Sequence, residues 1–313
     1  MPERVLLTGA TGFVGSHIAE ALASAGCEVR CAVRNTSDPR WLSGLKVRLV
    51  RADFGRPEDL ARLAKGADAV VHAAGITRAR RPEDFYAVNA GITRRLAAAA
   101  ARAGARRFVL ISSLAARGPD GEDGPVSHYG RSKLQAEQCL REFGELRPVI
   151  LRPAAVYGPR DRDFLPLFRL ARSGWLPVPA SANPLQPVYA ADVARAVLLA
   201  LRKDGPGPFP LAEEARYSWR EVAEALEAAL GRRVRPVRLP TAGFVLAGRA
   251  AGLTARLRGA PPAFDERRAR DIAVHAWTCD PSAAERALGW RAGVPLPEGL
   301  GHTAGWYRRE GWL

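Results

Sequence analysis

The first half of the sequence alternates short aliphatic runs with alanine-rich stretches of helical length. The aliphatic runs are RVLLTG, EVRCAV, KVRLVRAD, DAVVHAAG and RRFVLISS. Helices are predicted at 12–25, 57–65, 83–103 and 127–143, and a further strand at 146–152. Strands and helices in this order are joined by right-handed crossovers, which place helices on both faces of a parallel sheet. The pattern therefore predicts an α/β fold with a doubly wound parallel sheet.

A glycine-rich turn, TGATGFVG, joins the first predicted strand to the first predicted helix. Gly9 permits the tight turn, Gly12 lets the backbone approach a pyrophosphate, and Gly15 lets the helix pack closely on the strand. The free N–H groups and the positive dipole of the helix N-terminus then favour bound phosphate. This turn predicts a Rossmann-type dinucleotide-binding domain.

The end of the second predicted strand, EVRCAVRNTSD, bears on which dinucleotide binds. An NAD site usually has a carboxylate there for the ribose hydroxyls, whereas a 2′-phosphate requires arginine. Val33 stands where the acid is expected, and Arg34 follows it with Thr36 and Ser37 nearby. We predict NADP as cofactor, with NAD as the alternative. Asp53, just past the third strand, is placed either to accept a bond from an adenine amino group or to cap a helix.

The second half of the chain differs in composition from the first. Prolines become dense after residue 153, in segments such as GWLPVPASANPLQP and DGPGPFP, and interrupt the helices there. A chain of 313 residues also exceeds the size of a single core. We therefore predict an NAD(P)-binding Rossmann domain of residues 1–152 plus 183–204, and a smaller C-terminal substrate-binding domain of residues 153–182 plus 205–313.

Composition argues against several other classes of protein. The net charge is +15, but the arginines are spread along the chain, so no nucleic-acid partner is predicted. No apolar run approaches about 18 residues, and no signal peptide is evident, so we expect no integral membrane segment. The four cysteines lack metal-ligand spacing, and we predict no metal. These features favour a cytoplasmic location.

Tyr129 and Lys133 stand one turn apart on the predicted helix that follows the fifth strand. A phenol is a poor base at neutral pH unless a neighbouring cation stabilises its phenolate. Only four of the 47 basic residues are lysines, and the compact ammonium of lysine can both lower the tyrosine pKa and bind two ribose hydroxyls. Ser113, at the carboxyl end of the fifth strand, is a candidate hydrogen-bond donor to substrate.

These motifs together resemble one enzyme family. The glycine turn, HAAG at 72–75, Asn89, Ser113 and YGRSK at 129–133 resemble the extended short-chain dehydrogenases/reductases, the NAD-dependent epimerase/dehydratase family. The segments LRPAAVYGP and VYAADVARAV resemble later blocks of the same family, so the likeness covers nearly the whole chain.

The resemblance implies a role for each catalytic candidate. Tyr129 would be the general acid/base, Lys133 its activator and ribose ligand, Ser113 the residue that orients the reacting oxygen, and Asn89 part of a proton relay. The segment after Asn89 departs from the family pattern, because Gly91 lies one residue early. We also expect a small-molecule substrate and a homodimer. The remaining predicted cofactor-binding residues are Thr11, Phe13, Val14, Phe54, Ala73, Ala74, Gly75, Ser112, Pro153 and Val156.

Differences within the family favour a reductase. The stretch LAARGP after Ser113 lacks the Asp–Glu pair found in the 4,6-dehydratases, and Ala155 and Leu185 replace groups that hold the diphosphate in nucleotide-sugar epimerases. By contrast, VRCAVRNTSD resembles the dihydroflavonol reductases, and LRPAAVYGP suits the branch that also holds the 3β-hydroxysteroid dehydrogenases. We predict an NADP-dependent oxidoreductase that transfers a hydride between nicotinamide and a carbonyl/alcohol substrate.

Two other functions stay open at this point, and one segment has two interpretations. A sugar or nucleotide-sugar epimerase would use the same residues with a tightly held cofactor. A non-catalytic NAD(P)-binding subunit would share the fold, although such subunits commonly lose the tyrosine and lysine. The apolar stretch 235–259, flanked by arginines, is either a wall of the substrate pocket or a helix on a membrane surface.

Overall fold

A parallel sheet with helices on its faces organises the first part of the chain. The structure is a computed structural model that describes residues 3–181, 183–205, 207–257 and 265–313. Its strands are β1 Arg4–Thr8, β2 Glu28–Val33, β3 Val47–Arg51, β4 Ala69–His72, β5 Arg107–Ile111, β6 Pro148–Pro153, β7 Ala155–Tyr157, β8 Trp175–Pro179, β9 Pro187–Tyr189, β10 Phe209–Leu211 and β11 Arg235–Leu239.

The helices follow the predicted alternation in the first half. They are α1 Phe13–Ser24, α2 Pro57–Ala64, α3 Pro82–Phe85, α4 Thr93–Arg102, α5 His128–Cys139, α6 Leu165–Arg172, α7 Ala190–Ala200, α8 Trp219–Leu230, α9 Thr241–Leu257, α10 Glu266–Val274, α11 Ser282–Leu288 and α12 Leu296–Arg309. A π-helical turn, Tyr86–Ile92, joins α3 to α4 without a break.

The order of the main sheet is β10-β6-β5-β4-β1-β2-β3, and all of its neighbouring strands are parallel. The chain winds one way from β1 to β3 and the other way from β4 onward, so the topological switch point lies between β1 and β4. Loops after these strands meet at one edge of the sheet, where ligands bind in folds of this type. The prediction of a Rossmann-type doubly wound sheet is confirmed.

The middle residues of the central strands are apolar on both sides because helices cover both faces of the sheet. Leu6 and Leu7 of β1 are fully buried, and so are Phe108, Val109 and Leu110 of β5. The alanine-rich α4 packs Leu96 and its alanines into the same core, because small side chains allow a helix to approach the sheet closely. This packing fixes the strand ends that carry the candidate site.

Contacts between residues divide the chain into two compact units. The first comprises Met1–Ala154, Ala190–Ala212 and Asp280–Ala292, and the second comprises Ala155–Tyr189, Glu213–Cys279 and Gly293–Leu313. In the second unit, β7 pairs with β9 and β8 pairs with β11, both in parallel. Its core holds the fully buried rings of Tyr157, Phe168 and Tyr307. The assignment of cofactor to one domain and substrate to the other stays a prediction.

Residues 183–204, predicted to belong to the Rossmann domain, are divided between the two units. Helix α7 does belong to the first unit, but β9, which precedes it, pairs with β7 in the second unit. The strand that extends the main sheet beyond β6 is β10, with Phe209 opposite Leu151. Three residues with a proline in the middle give no periodic signal, so the sequence did not predict this strand. Of the stretch 235–259, residues 258 and 259 lie outside the described residues.

Candidate active site

The glycine turn after β1 is shaped by close backbone contacts. Gly9 has a φ of +77°, and a Cβ there would lie 2.6 Å from the backbone of Ala73 and Ala74. A Cβ at Gly15 would collide with the carbonyl oxygen of Gly9, which shows how closely α1 packs on the turn. Gly12 precedes α1 and offers no side chain to cap its first N–H groups. Uncapped N–H groups beside a turn in which Gly9 and Gly15 leave no room for a Cβ fit the pyrophosphate of a dinucleotide.

The HAAG segment after β4 borders this turn. His72 is buried, and its Nδ1 lies 2.6 Å from Oγ1 of Thr8 at the end of β1. The backbone N–H of Ala74 donates to the same Thr8 hydroxyl over 3.3 Å. Burial, with the nearby charge of Lys133, lowers the pKa of His72 to about 3, so its imidazole stays neutral. Ala73, Ala74 and Gly9 therefore lie together, and their role in cofactor binding stays a prediction.

The loops after β2 and β3 carry the residues proposed for cofactor choice. Val33 is buried in β2, whereas the Arg34 side chain is exposed. The backbone N–H of Arg34 donates to Ser37 Oγ over 3.2 Å. Asp53 is exposed, and its Oδ1 accepts a bond of 2.8 Å from the N–H of Gly55. Helix α2 has Arg56 as its N-cap residue, so the Asp53 carboxylate closes its own turn and does not cap that helix.

Lys133 is buried at the carboxyl end of β5, with 5% of its surface exposed. Its Nζ donates to the carbonyl oxygen of Ile111 over 2.7 Å. A Cβ added at Gly75 would lie 3.9 Å from this Nζ and 3.0 Å from Oδ1 of Asn89, so the three residues form one cluster. Burial lowers the pKa of Lys133 to about 8, while the charge of Glu137 acts to raise it. Lys133 is thus mostly an ammonium at neutral pH.

Asn89 lies on the π-helical turn and is almost fully buried. Its Oδ1 accepts from the N–H of Ile76 over 2.9 Å, and its Nδ2 donates to the Ile76 carbonyl over 3.1 Å. The same Nδ2 also donates to Ser132 Oγ over 2.9 Å. The carboxamide therefore ties the loop after β4 to helix α5. A π turn holds one more residue than an α turn, and Gly91 lies inside this one.

Tyr129 lies in the first turn of α5, where Ser127 caps the helix by accepting a bond of 3.0 Å from the N–H of Gly130. A Cβ on Gly130 would lie 3.1 Å from the carbonyl carbon of Ala115, so this helix end packs directly on the turn that follows Ser113. Tyr129 and Ser113 are both partly exposed. The ring of Tyr129 packs edge-on against Phe85, with centroids 6.2 Å apart. Two partly exposed residues that carry hydroxyls thus lie on adjoining segments.

A buried ion pair behind Lys133 was missed by sequence reasoning. Glu137, one turn after Lys133 on α5, accepts from Arg152 of β6, with Nε to Oε1 at 2.9 Å and Nη2 to Oε2 at 2.5 Å. The Ser112 hydroxyl also donates to this carboxylate. The spacing of Tyr129, Lys133 and Glu137 at four-residue intervals was a usable signal, because it puts all three on one helix face.

The other predicted residues lie as follows. Thr11 is in the glycine turn, and Phe13 and Val14 begin α1. Phe54 is buried beside Asp53. Pro153 ends β6 opposite Leu211, and Val156 lies in β7 of the second unit. The structure does not test the cofactor or catalytic roles of any of these positions.

A sheet of this order, a glycine turn before α1 and a Tyr–Lys pair on α5 define the class of NAD(P)-dependent short-chain dehydrogenases/reductases. The family model for the NAD dependent epimerase/dehydratase family matches residues 5–211. The chain belongs to this family, in the extended branch of that class, and is an enzyme.

Relatives in the family include both reductases and epimerases. A ceramide reductase of Caulobacter vibrioides is 38% identical over 312 residues, which cover 99% of this chain and 96% of that protein. A UDP-glucose 4-epimerase of Azospirillum brasilense is 37% identical over 172 residues, which cover 50% of this chain and 49% of that protein.

Solved structures are similar over nearly the whole chain. The crystal structure of gox2253 gives a TM-score of 0.80 at 27% identity and covers 99% of both chains. MoeE5, solved in complex with UDP-glucuronic acid and NAD, gives a TM-score of 0.75 at 25% identity and covers 98% of this chain and 99% of its own. Within the described part of the chain, no helix has the length and apolar character needed to cross a bilayer.

Proposed function

We propose that this enzyme is an NADP-dependent reductase of a ketone carried by a long-chain, ceramide-type lipid. The observation that carries the proposal is the likeness to the ceramide reductase, which at 99% coverage extends through the second unit as well as the first. The UDP-glucose 4-epimerase of Azospirillum brasilense, at 37% identity, matches only half of the chain, and an undecaprenol-linked 4-epimerase of Escherichia coli O157:H7 that matches 97% of it is only 25% identical. Leu185 and Ala155 also offer no cation or amide to a sugar-nucleotide diphosphate.

Side chains of this protein account for the proton transfer to the carbonyl oxygen. Bound NADPH supplies a hydride to the carbonyl carbon. Ser113 donates a hydrogen bond to the carbonyl oxygen, and Tyr129 Oη gives that oxygen its proton. Lys133, an ammonium below its pKa of about 8, stabilises the resulting phenolate. The Asn89 carboxamide positions the loop after β4 and helix α5 through its bonds to Ile76 and Ser132.

The preference for NADP rests on the loop after β2. Arg34 is exposed there, and buried Val33 stands where an NAD site has its carboxylate. An exposed guanidinium is free to form a bidentate contact with a 2′-phosphate. Since MoeE5 binds NAD, this preference distinguishes the chain from a family member of the same fold.

Turnover by the Tyr129→Phe variant tests the catalytic assignment. The substrate is an oxidised, ketone-bearing ceramide in detergent, and NADPH consumption is followed by absorbance. Loss of the phenol removes a proton donor worth about 10²–10⁴-fold in rate, while NADPH binding, measured by fluorescence, stays unchanged. Tyr86→Phe is the matched control, because Tyr86 Oη contacts His128 Nδ1 at 3.1 Å close to the same helix. Full turnover by Tyr129→Phe would reject the mechanism.

Arg34→Asp tests the cofactor preference. We expect the parent to bind NADPH more tightly than NADH and the variant to lose or reverse that preference, because a carboxylate repels the 2′-phosphate. Arg48→Asp, an equal change of charge at an exposed position of β3, should leave the ratio unchanged. Equal affinity of the parent for both cofactors would contradict the proposal.

A second candidate is epimerisation of a nucleotide sugar with retained NAD. It is favoured by the structural likeness to MoeE5, which binds UDP-glucuronic acid and NAD. An epimerase regenerates its cofactor in each cycle and keeps it through purification, whereas a reductase must exchange it. Purified protein that carries tightly bound NAD and converts UDP-glucose without net NADPH consumption would establish this candidate in place of the reductase.

A further inference from the structure

Helix α9 of the second unit is apolar on two different faces. Phe244 and Gly248 face α10, where a Cβ on Gly248 would lie 2.5 Å from the Cβ of Ala269. On another face, Leu246 is 64% exposed and Leu253 is 58% exposed. Leu246 and Leu253 are seven residues apart and therefore lie on one side of the helix, two turns from each other. A surface helix normally turns polar residues outward, whereas the described residues leave this apolar face uncovered.

Small and apolar residues fill the rest of this outward face. Ala242 and Ala250 are exposed beside the two leucines, and Arg249 stands at the edge of the face. A shallow groove between α9 and α10 continues it, lined by Val245, Leu246, Arg249 and Arg270 among others. We define the outer α9 face as Ala242, Leu246, Arg249, Ala250 and Leu253.

The charges around the outer α9 face are predominantly positive. No aspartate or glutamate occurs between positions 241 and 257. Strand β11, which leads into the helix, exposes Arg235 and Arg238. The acid that borders the groove, Glu266, lies 3.5 Å from the guanidinium of Arg270. An apolar strip flanked by arginines is complementary to the headgroups and upper acyl chains of an anionic bilayer.

A second copy of the chain fits this face less well. A two-fold antiparallel contact centred on Arg249, the middle residue of the helix, would bring the two copies of Arg249 together without an acid on the helix to compensate. The helix has 17 residues with two arginines among them, which suits a position in the plane of the bilayer surface. Arginine stems can extend along the apolar layer while their guanidinium groups reach the phosphates.

We infer that the outer α9 face binds the surface of an anionic phospholipid membrane. The inference deepens the proposed function, because a ceramide-type substrate resides in such a membrane and its ketone must be reached from the surface. The apolar contact supplies the depth of insertion, and the arginines supply the selectivity for anionic lipid.

Vesicle sedimentation tests this inference without turnover. Vesicles are made of phosphatidylcholine alone or of phosphatidylcholine mixed with phosphatidylglycerol. We expect the parent to co-sediment with the anionic vesicles, less so at high salt, and Leu246→Ser/Leu253→Ser to bind about tenfold or more weakly, because two apolar side chains are lost. Arg249→Gln should reduce the difference between the two kinds of vesicle.

A matched control is available on the first unit. Leu49 of β3 is 44% exposed, and Leu49→Ser should leave vesicle binding unchanged. Each variant is checked for its melting temperature and for NADPH binding, so that unfolding is recognised. Absence of binding by the parent, or equal binding by the double serine variant, would overturn the inference. A parent dimer that the double variant converts to a monomer in analytical ultracentrifugation would assign the face to a second copy and overturn it as well.

The outcome is separable from that of the proposed function. Vesicle binding by a protein with no reductase activity would leave the membrane surface standing and reject the reaction. Reductase activity on detergent-solubilised ketone, with no binding to either kind of vesicle, would support the reaction and reject the membrane surface.

Discussion

Removal of the Glu137 carboxylate should destabilise the protein far more than removal of a surface carboxylate. The side chains of Glu137 and Arg152 are 5% and 13% exposed, and Ser112 donates to the same carboxylate. Glu137→Leu therefore leaves a buried guanidinium without its counter-charge and a buried hydroxyl without its acceptor. Breaking a buried ion pair from one side costs about 3–5 kcal/mol. At roughly 2–4 °C per kcal/mol for domains of this size, the melting temperature should fall by about 6–20 °C.

Thermal unfolding followed by circular dichroism, at one fixed scan rate, measures this effect. Glu142→Gln is the matched control, since the Arg94–Glu142 pair at 2.6 Å is half-exposed or more on both sides and such pairs contribute at most about 1 kcal/mol. Glu137→Leu/Arg152→Leu should recover much of the loss, because neither charge is then buried alone. A melting temperature of Glu137→Leu within about 2 °C of the parent, or a double variant less stable than the single one, would refute the reasoning.

Two further changes follow from the site. Gly15→Ala should abolish NADPH binding in a fluorescence titration, because a Cβ there collides with the Gly9 carbonyl oxygen. Gly144→Ala is the control and should bind NADPH normally, because a Cβ there meets nothing within 4 Å. The rate of ketone reduction at low substrate should be highest below pH 8 and should fall as pH rises further, because Lys133, whose pKa burial lowers to about 8, then loses the proton that stabilises the phenolate. Glu137→Gln should move this fall in rate to lower pH, since the Glu137 charge raises the pKa of Lys133. A rate that stays constant from pH 7 to about 10 would contradict the role of Lys133.

Local patterns in the sequence were enough to predict the sheet and the cofactor turn. The turn at Gly9, Gly12 and Gly15 depends on backbone geometry over seven residues, and the Tyr129–Lys133 spacing depends on one turn of helix. Both are properties of contiguous sequence, and both appear in the structure at the predicted places.

Features that depend on distant pairing were not predicted. The Glu137–Arg152 pair joins α5 to β6, which begins only after two intervening turns. Hydrophobic periodicity within one segment does not predict an ion-pair partner in another segment. Strand β10 is too short to show alternation. In α9 both faces are apolar, so hydrophobic periodicity could not show which one packs on α10 and which one carries Leu246 outward.

The order of segments in the first unit has a consequence for biosynthesis. Strand β6 ends at Pro153, but its outer neighbour β10 begins only at Phe209. Trp290 follows still later in the chain, and its indole N–H donates to the carbonyl of Asp192 over 2.9 Å. A nascent chain therefore exposes one unpaired sheet edge for roughly 3–12 s of translation. An open edge of this kind recruits other strands, so the interval between these codons is when the polypeptide most needs a chaperone.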